Sequence, residues 1–547
     1  MAALAPPAPT TDYDRRWWTL AVLCLSLLIV FVGNSSLNVT LPTLARDLHA
    51  SGAQLQWVVA VYSLVFAGLL FSTGSMGDRY GRKGALQLGF VLFLTGAGLA
   101  SASHAMWQLI ACRAVMGAGA ALIMPSTLSI LINVFPPHER PKAIAIWASV
   151  TGAAGALGPI ASGLLLAHFW WGSVFLINVP LIIVALIGGR FLVPKSRDNE
   201  HAPLDPVGAI LSTVGIVALV YGLIEAPNSG WLSGATLGSF AAAAAVLAAF
   251  VAWELRSEHP TLEIRYFLNR AFSIGTGGMI LVFLALYGVI FLLTLYFQLV
   301  LGYSALSTAV RFVPIALIMI VVAPQTPRLT ARFGAHRAVG AGMVLVAAGL
   351  LALIGLGLHT SYSYVVLCLV PIVGGMAMSI SPMTASIMSA VPPRRAGAGS
   401  AMNDTTRELG AALGVAVLGS LAASRYASGL AGPLRALAPA ARATARSSLA
   451  GALQVAGSLP RAAGVALARS ADLSFVSGFH LAGVVGAALA ATSAVIVVRY
   501  LPRRLTQSDD ARSTDLDLDL EELALEALML EYADLGYPED EAEPAVG

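Results

Sequence analysis

Apolar stretches long enough to cross a hydrocarbon core of about 30 Å recur along the whole chain, and this repetition limits the fold more than any single motif. Fourteen are expected, at residues 17–42, 54–73, 84–103, 107–132, 142–166, 172–193, 206–226, 233–254, 272–300, 309–330, 337–358, 363–390, 399–423 and 478–500. Lipid offers no partner to a backbone N–H or C=O, so segments of this length must be helices, and the fold class is an all-α polytopic membrane protein. Composition agrees: 57% of the 547 residues are hydrophobic and 11% charged, against about a quarter charged in a soluble domain. The net charge of +3 conceals two regions. Residues 509–547 hold 14 acids and one base, Arg512, whereas the remainder holds 31 bases and 15 acids.

An even number of spans places both termini on one side. Connections following even-numbered spans carry Arg79, Arg82, Lys83, Arg140, Lys142, Lys195, Arg197, Arg256, Arg265, Arg270, Arg332, Arg337, Arg394 and Arg395, whereas the short ones following odd-numbered spans have little beyond Arg46 and Arg311. The excess of Lys and Arg marks the cytoplasmic side, so the termini are expected there, in a bacterial-type inner membrane. The first apolar run exceeds twenty residues, lacks a small-residue cleavage site and precedes many more spans, so it is not a signal peptide. Cys24, Cys112 and Cys368 all fall within spans and form neither a disulfide framework nor a metal site.

Two segments match each other: GAGAALIMPSTLSI (117–130) in span 4 and GGMAMSISPMTASI (374–387) in span 12, with Pro125 and Pro382, Thr127 and Thr384, and Ser129 and Ser386 in register. DRYGRK (78–83) after span 2 likewise corresponds to ARFGAH (331–336) after span 10. Matching helices eight apart imply two copies of a six-helix unit, residues 17–193 and 272–500, with spans 7 and 8 (206–254) an inserted pair. Repeated halves about an axis along the membrane normal are a transporter architecture, with a duplicated non-transporting scaffold as the alternative. Outside the bundles lie a cytoplasmic N-terminus (1–16) and an acidic tail (501–547) that either docks on the basic surface or is simply solvated. A long extracellular excursion, 424–477, reads as two short helices separated by Ser458, Leu459 and Pro460, or else as a disordered loop. Its arginines do not overturn the topology, because long loops translocate largely regardless of charge.

GSMGDRYGRKGAL (74–86) combines turn-permitting glycines with Asp78, which can cap or pair with a helix end. Span 4 carries Arg113 in an apolar run, where a guanidinium is costly and is expected to face a cavity or carboxylate. In span 5, Gly155, Pro159 and Gly163 fall four apart on one face, as close helix packing requires. These three stretches resemble motifs A, B and C of the major facilitator superfamily. The first matches through Gly74, Asp78, Arg79, Gly81, Arg82 and Lys83, the second through Arg113, Gly117 and Gly119, and the third through Gly158, Pro159 and Gly163, with Ala154 and Ser162 replacing two of its glycines. The resemblance implies a conformational latch at motif A, proton transfer involving Arg113, and antiport through span 5. In the second repeat Ala331 replaces Asp78 and Val370 replaces Arg113, so the halves differ.

With fourteen spans, NVTLPTLARDL (38–48), LQWVVAVYSL (55–64), FLINVP (175–180), LVYGLIEAPNSGW (219–231) and the span 13 string look like the drug:proton antiporter branch, from about residue 15 to 504. The long hairpin resembles that of exporters of quaternary ammonium compounds. One departure bears on mechanism: the branch usually has an Asp nine residues before the span 1 proline, and here the position is Gly33, beside Asn34. Span 10, VPIALIMIVVAP, has no acid at all.

Asp12, Asp14, Asp47, Glu139, Asp198, Glu200, Asp205, Glu254, Glu258, Glu263 and Asp472 lie in termini, loops or span ends. Asp78 belongs to the latch and Glu225 to the inserted pair. Asp404 and Glu408 remain, four apart on one face of span 13 beside Arg407. Burial there favours the protonated carboxyl and Arg407 the ionised one, so a conformational change can move a proton, unless Asp404 and Arg407 form a static structural pair.

The reading is therefore an exporter of hydrophobic, cationic drugs or toxic compounds in exchange for protons. Asp404, Glu408, Arg407, Arg113, Asn34 and Asn38 are the candidate coupling or substrate groups, and Trp57, Tyr62, Phe291, Tyr296 and Phe297 the candidate pocket aromatics. Its expected partners are such small molecules, protons and membrane lipids, with no nucleic acid, and the unit is a monomer. The rivals are an exporter of one endogenous metabolite, antibiotic or lipid precursor, and a non-transporting receptor. No catalytic constellation, metal site or cofactor motif is present, and without a P-loop the proton gradient is the expected energy source rather than ATP.

Overall fold

The computed structural model describes residues 15–136, 139–194, 205–257, 260, 262–391 and 396–502. Expectations for the acidic tail and for Lys195, Arg197, Arg394 and Arg395 lie outside these residues. A helix stands at every expected span. In chain order these are α1 (Arg16–Asp47), α2 (Gly52–Tyr80), α3 (Arg82–Ser101), α4 (Met106–Val134), α5 (Arg140–His168), α6 (Ser173–Leu192), α7 (Pro206–Ser229), α8 (Gly234–Glu254), α9 (Arg270–Val300), α10 (Ala305–Phe333), α11 (Ala335–Gly355), α12 (Tyr362–Ser389), α13 (Ala396–Leu430) and α14 (Arg461–Tyr500). Among the described residues, thirteen are long and apolar enough by themselves to span a membrane, and in α5 the described apolar part is Leu157–His168.

Local signals fix the helix ends. Ser51 and Gln54 close a capping box at the start of α2, and Ser233, Asn269 and Ser304 accept backbone N–H groups at the starts of α8, α9 and α10, which satisfies donors left free by the first helical turn. Two glycines break the chain at corresponding places in the repeat. Gly81 between α2 and α3 has φ 108° and Gly334 between α10 and α11 has φ 82°, values that strain any residue with a Cβ.

Packing repeats with the same offset of eight. In the first bundle α1 packs on α5, α2 on α4, and α3 on α4 and α6; in the second α9 packs on α13, α10 on α12, and α11 on α12 and α14. The bundles meet where α2 lies on α13 and α5 on α10, with α1 also touching α9. The inserted α7 packs on both α2 and α13 and pairs with α8; Ala60, Leu64, Val220, Ile224, Ala412 and Ala416 form its small apolar core there.

The segment 424–477 differs from expectation in one respect. Its first part folds as two short helices, Pro439–Ser447 and Leu449–Ser458, but after Pro460 the chain enters α14 directly and stays helical for 40 residues. At 1.5 Å per residue α14 is about 60 Å long, roughly twice the hydrocarbon thickness, so its first half stands outside the bilayer. The segment is ordered by packing: Ala445, Leu449, Ala452 and Val455 belong to the main apolar core. Tyr426 Oη donates to the carbonyls of Ala445 at 2.8 Å and Ser448 at 3.1 Å.

Candidate functional site

The bundle has a near end, where α1 begins and α14 finishes, and an opposite far end. Among the described residues, hydrogen bonds joining the two bundles lie toward the far end. Gln298 Nε2 donates to Val39 O at 2.8 Å, Ser420 Oγ to Gln56 Oε1 at 3.0 Å, and Ser448 Oγ to Ala50 O at 3.5 Å. Backbones also meet there. A Cβ at Gly163 of α5 would lie 2.7 Å from Leu306 Cα and 3.1 Å from Leu306 N in α10.

The span 5 glycines thus have separate tasks. Gly163 seats α5 against the other bundle. Gly158 seats it against α1, where Ser36 Oγ donates to Gly158 O at 3.4 Å and an added Cβ would run into Ser35 Oγ. Gly155 has no atom within 4 Å of its Cβ position, and α5 continues through Pro159 without ending.

Arg113 is fully buried in α4. The sequence led to the expectation of a cavity or carboxylate beside it. Instead its guanidinium donates Nε to Val58 O at 3.2 Å, Nη1 to Gly33 O at 3.0 Å and Nη2 to Asn34 Oδ1 at 3.1 Å, and lies 4.2 Å from the Tyr62 ring centre. The charge is spread over carbonyl dipoles and a π face, which lets a guanidinium exist in an apolar bundle without an ion-pair partner. Tyr62 Oη in turn donates to Val30 O at 3.2 Å. Tyr62 is also within electrostatic reach of Glu408 in the other bundle.

Gly33 has a steric reason. A Cβ there would sit 2.7 Å from Phe93 Cζ, and Phe93 is completely buried, so its ring occupies the place of the acid found in the related branch. Asn38, one turn along, is buried.

In α13 the charges share one face because they are three and four residues apart. Arg407 Nη1 is 3.6 Å from Asp404 Oδ1, with side chains 30% and 23% exposed, and its guanidinium lies 5.0 Å from the Phe283 ring of α9. Glu408 is 8% exposed and faces Ser63 of α2 across the junction of the bundles; its Oε2 has no hydrogen-bond partner among the described residues. The orientation is set by glycines on the Arg407 side of the helix, which leaves Arg407 against α9 and Glu408 facing α2. Cβ atoms at Gly410 and Gly414 would lie 2.6 Å from Ile280 O and 2.9 Å from Leu284 Cα, so α13 presses its backbone on α9 there. Below the charges, the repeated threonines make matching contacts: Trp147 Nε1 of α5 donates to Thr127 Oγ1 at 3.3 Å, and Thr384 Oγ1 donates to Asn403 Oδ1 of α13 at 2.9 Å.

The remaining sequence candidates scatter. Trp57 packs on Tyr221 of α7, ring centres 6.2 Å apart. Tyr296 and Phe297 do not line the junction: both are fully buried within the second bundle, the former donating from Oη to Gly357 O at 2.6 Å and the latter ringed by Tyr303, Phe312 and Tyr362. Phe291 is buried toward the far end. Val370, aligned with Arg113, is 48% exposed, beside Pro371, which α4 lacks at that level. Of the motif A residues, the side chains of Asp78 and Arg79 lie outside the described ones. Gly74 lies near Pro125, with a Cβ distance of 3.7 Å. Arg82 begins α3, and Lys83 Nζ donates to Arg190 O at 2.8 Å and Val193 O at 2.6 Å, capping α6 in its own bundle. Sequence reasoning missed Phe283 and Tyr287 of α9. Their rings stack at 6.2 Å, and Tyr287 is in electrostatic contact with Glu408 and Arg407; an aromatic pair at i, i+4 in α9 was the available signal.

Two repeated six-helix bundles that meet across a junction holding a few intramembrane charges have the architecture of a membrane transporter. Residues 23–415 match the Major Facilitator Superfamily, and the chain belongs to that family. It is 36% identical to the multidrug efflux pump LfrA of Mycolicibacterium smegmatis over 90% of this chain and 97% of that protein. It is 33% identical to the tetracenomycin C resistance and export protein of Streptomyces glaucescens, over 88% and 91%. Among solved structures, a bacterial homologue of the human lysosomal transporter Spinster superposes with a TM-score of 0.62 at 17% identity, over 90% of this chain and 99% of that one, a likeness in fold.

Proposed function

We propose that this protein exports hydrophobic, cationic drugs or toxic compounds across the bacterial cytoplasmic membrane in exchange for protons, as a monomer with both termini in the cytoplasm. The observation that carries the proposal is the α13 cluster: Glu408, nearly buried at the junction of the bundles, with the partly exposed Asp404 and Arg407 pair one turn toward the near end. With cytoplasmic termini the described state is closed on the outside, and of the two α13 carboxylates Asp404 is the nearer to the cytoplasm. Protonation of Asp404 and Glu408 from outside would release the cation, and their deprotonation toward the cytoplasm would restore its site. Coupling requires that the proton and the cation each prefer one of the two states. The multidrug efflux relative supports drugs as substrates.

A second reading, export of a single antibiotic, is favoured by the tetracenomycin C relative, and a drug panel separates the two. The test uses inverted vesicles containing the full chain and a fluorescent lipophilic cation. Gradient-driven accumulation is expected, falling to background when Glu408→Gln and Asp404→Asn are combined. Accumulation indifferent to the gradient, or unaltered in the double variant, would defeat the coupling assignment.

A further inference from the structure

A cavity of about 290 Å³ lies at the far end under the 439–458 helices. Its volume is at the lower edge of the range of small-molecule sites, about 300–1,000 Å³. It is separate from the α13 charges: Gly419, in its wall, follows Glu408 by eleven residues, or about 16 Å along the helix.

The walls are apolar, with Phe291 and Leu295 of α9, Phe475 of α14, and Leu449 overhead. The polar groups at its surface are mostly committed elsewhere. Tyr426 Oη is spent on Ala445 O and Ser448 O, Gln56 Oε1 accepts from Ser420, and Asn228 Nδ2 donates to Glu225 Oε2 at 3.3 Å. Arg446, in the roof, is the exception: it is exposed, and its guanidinium has no hydrogen bond or ion pair among the described residues. No Asp or Glu lines the cavity. The neighbouring carboxylates lie outside the lining: Glu225 Oε2 accepts from Asn228, and Asp472, which interacts electrostatically with Tyr426, is not among the wall residues.

We propose that this cavity is a binding site for a single-chain anionic amphiphile, its hydrocarbon chain among Phe291, Leu295 and Phe475 and its carboxylate or sulfonate on Arg446. Apolar burial supplies the attraction, and a guanidinium with open donors selects the sign of the head group by forming charge-assisted hydrogen bonds. A cationic amphiphile of equal length meets the same walls but a repulsive head-group position.

The test uses the full chain in nanodiscs of zwitterionic lipid, with a decanoate bearing a chain-terminal diazirine as the probe and peptide mapping of the photo-adducts. Adducts are expected on the α9 segment Phe291–Leu299, on α14 around Phe475 and on the Leu449 helix. Excess decanoate should suppress them, whereas decyltrimethylammonium should not. Arg446→Ala should lower capture at least fivefold, with Arg446→Lys retaining most of it, and Ala423→Phe, which fills the cavity, should abolish it. Adducts confined to lipid-facing positions or to the α13 cluster, equal suppression by the ammonium compound, or undiminished capture in Arg446→Ala would each overturn the proposal.

Discussion

Gly163→Ala adds one carbon where two backbones from different bundles touch. The new Cβ would lie 2.7 Å from Leu306 Cα, 3.1 Å from Leu306 N and 3.2 Å from Ala305 O, whereas carbon atoms in contact rest about 3.5–4.0 Å apart. All three obstacles are backbone atoms, so no rotamer change relieves the contact and α5 must move away from α10 by roughly 1 Å. Overpacking of this kind costs about 1–3 kcal/mol. The cost falls on the state closed at the far end and disappears when the bundles separate there, so the population ratio should shift toward the far-open state by about 5- to 150-fold. The measurement is the distribution of distances between spin labels at Phe169 and Ser304, in a background lacking Cys24, Cys112 and Cys368. Gly155→Ala is the internal control, since its Cβ would meet nothing within 4 Å, and alanine favours a helix by up to about 1 kcal/mol over glycine. Unchanged distances in Gly163→Ala would refute the reading of this contact as the far-end stop between bundles. An equal shift in Gly155→Ala would attribute the effect to helix propensity instead.

Other substitutions probe the buried charges and the hairpin. Gly33→Asp should lower the thermal unfolding midpoint through about 1–3 kcal/mol of overpacking against Phe93, and adding Phe93→Leu should recover much of the loss in the same assay. Arg113→Ala leaves Asn34 Oδ1 without its buried donor, at about 1–3 kcal/mol, removes the second bonds to the Gly33 and Val58 carbonyls, and opens a cavity at a fully buried position. Thermal unfolding in detergent should show a large drop, and Arg113→Lys should not restore it, because one ammonium cannot reach three acceptors fixed for a planar fork. Tyr426→Phe removes the donor to Ala445 O and Ser448 O. At about 1–2 kcal/mol, amide exchange across 445–456 should accelerate roughly 5- to 30-fold with α13 itself unaffected.

The number and order of the helices were legible because apolar length is a strong signal. The repeat was legible because Pro125 and Pro382 sit in matching surroundings of small residues. Faces were not legible. A helix that is apolar all round carries no moment to say which side meets protein, so Trp57, Tyr296 and Phe297 could not be told from Phe283 and Tyr287 until packing was known. The α13 charges stood out by contrast with their surroundings. Arg113's partners could not be foreseen, because backbone carbonyls are present at every position and leave no trace in residue identity. The continuation of α14 beyond the apolar run was hidden for a related reason: the helix leaves the bilayer at its far end, where apolarity no longer tracks helicity.

The inserted α7 touches both α2 and α13, and its Thr213 lies against Gly68 of α2 so closely that no side chain fits between them. Here α7 lies over the α2–α13 seam between the bundles, whereas the corresponding α5–α10 seam has no inserted helix packed on it among the described residues. The two seams of an otherwise two-fold molecule therefore present different faces to lipid: one is three helices deep and the other two.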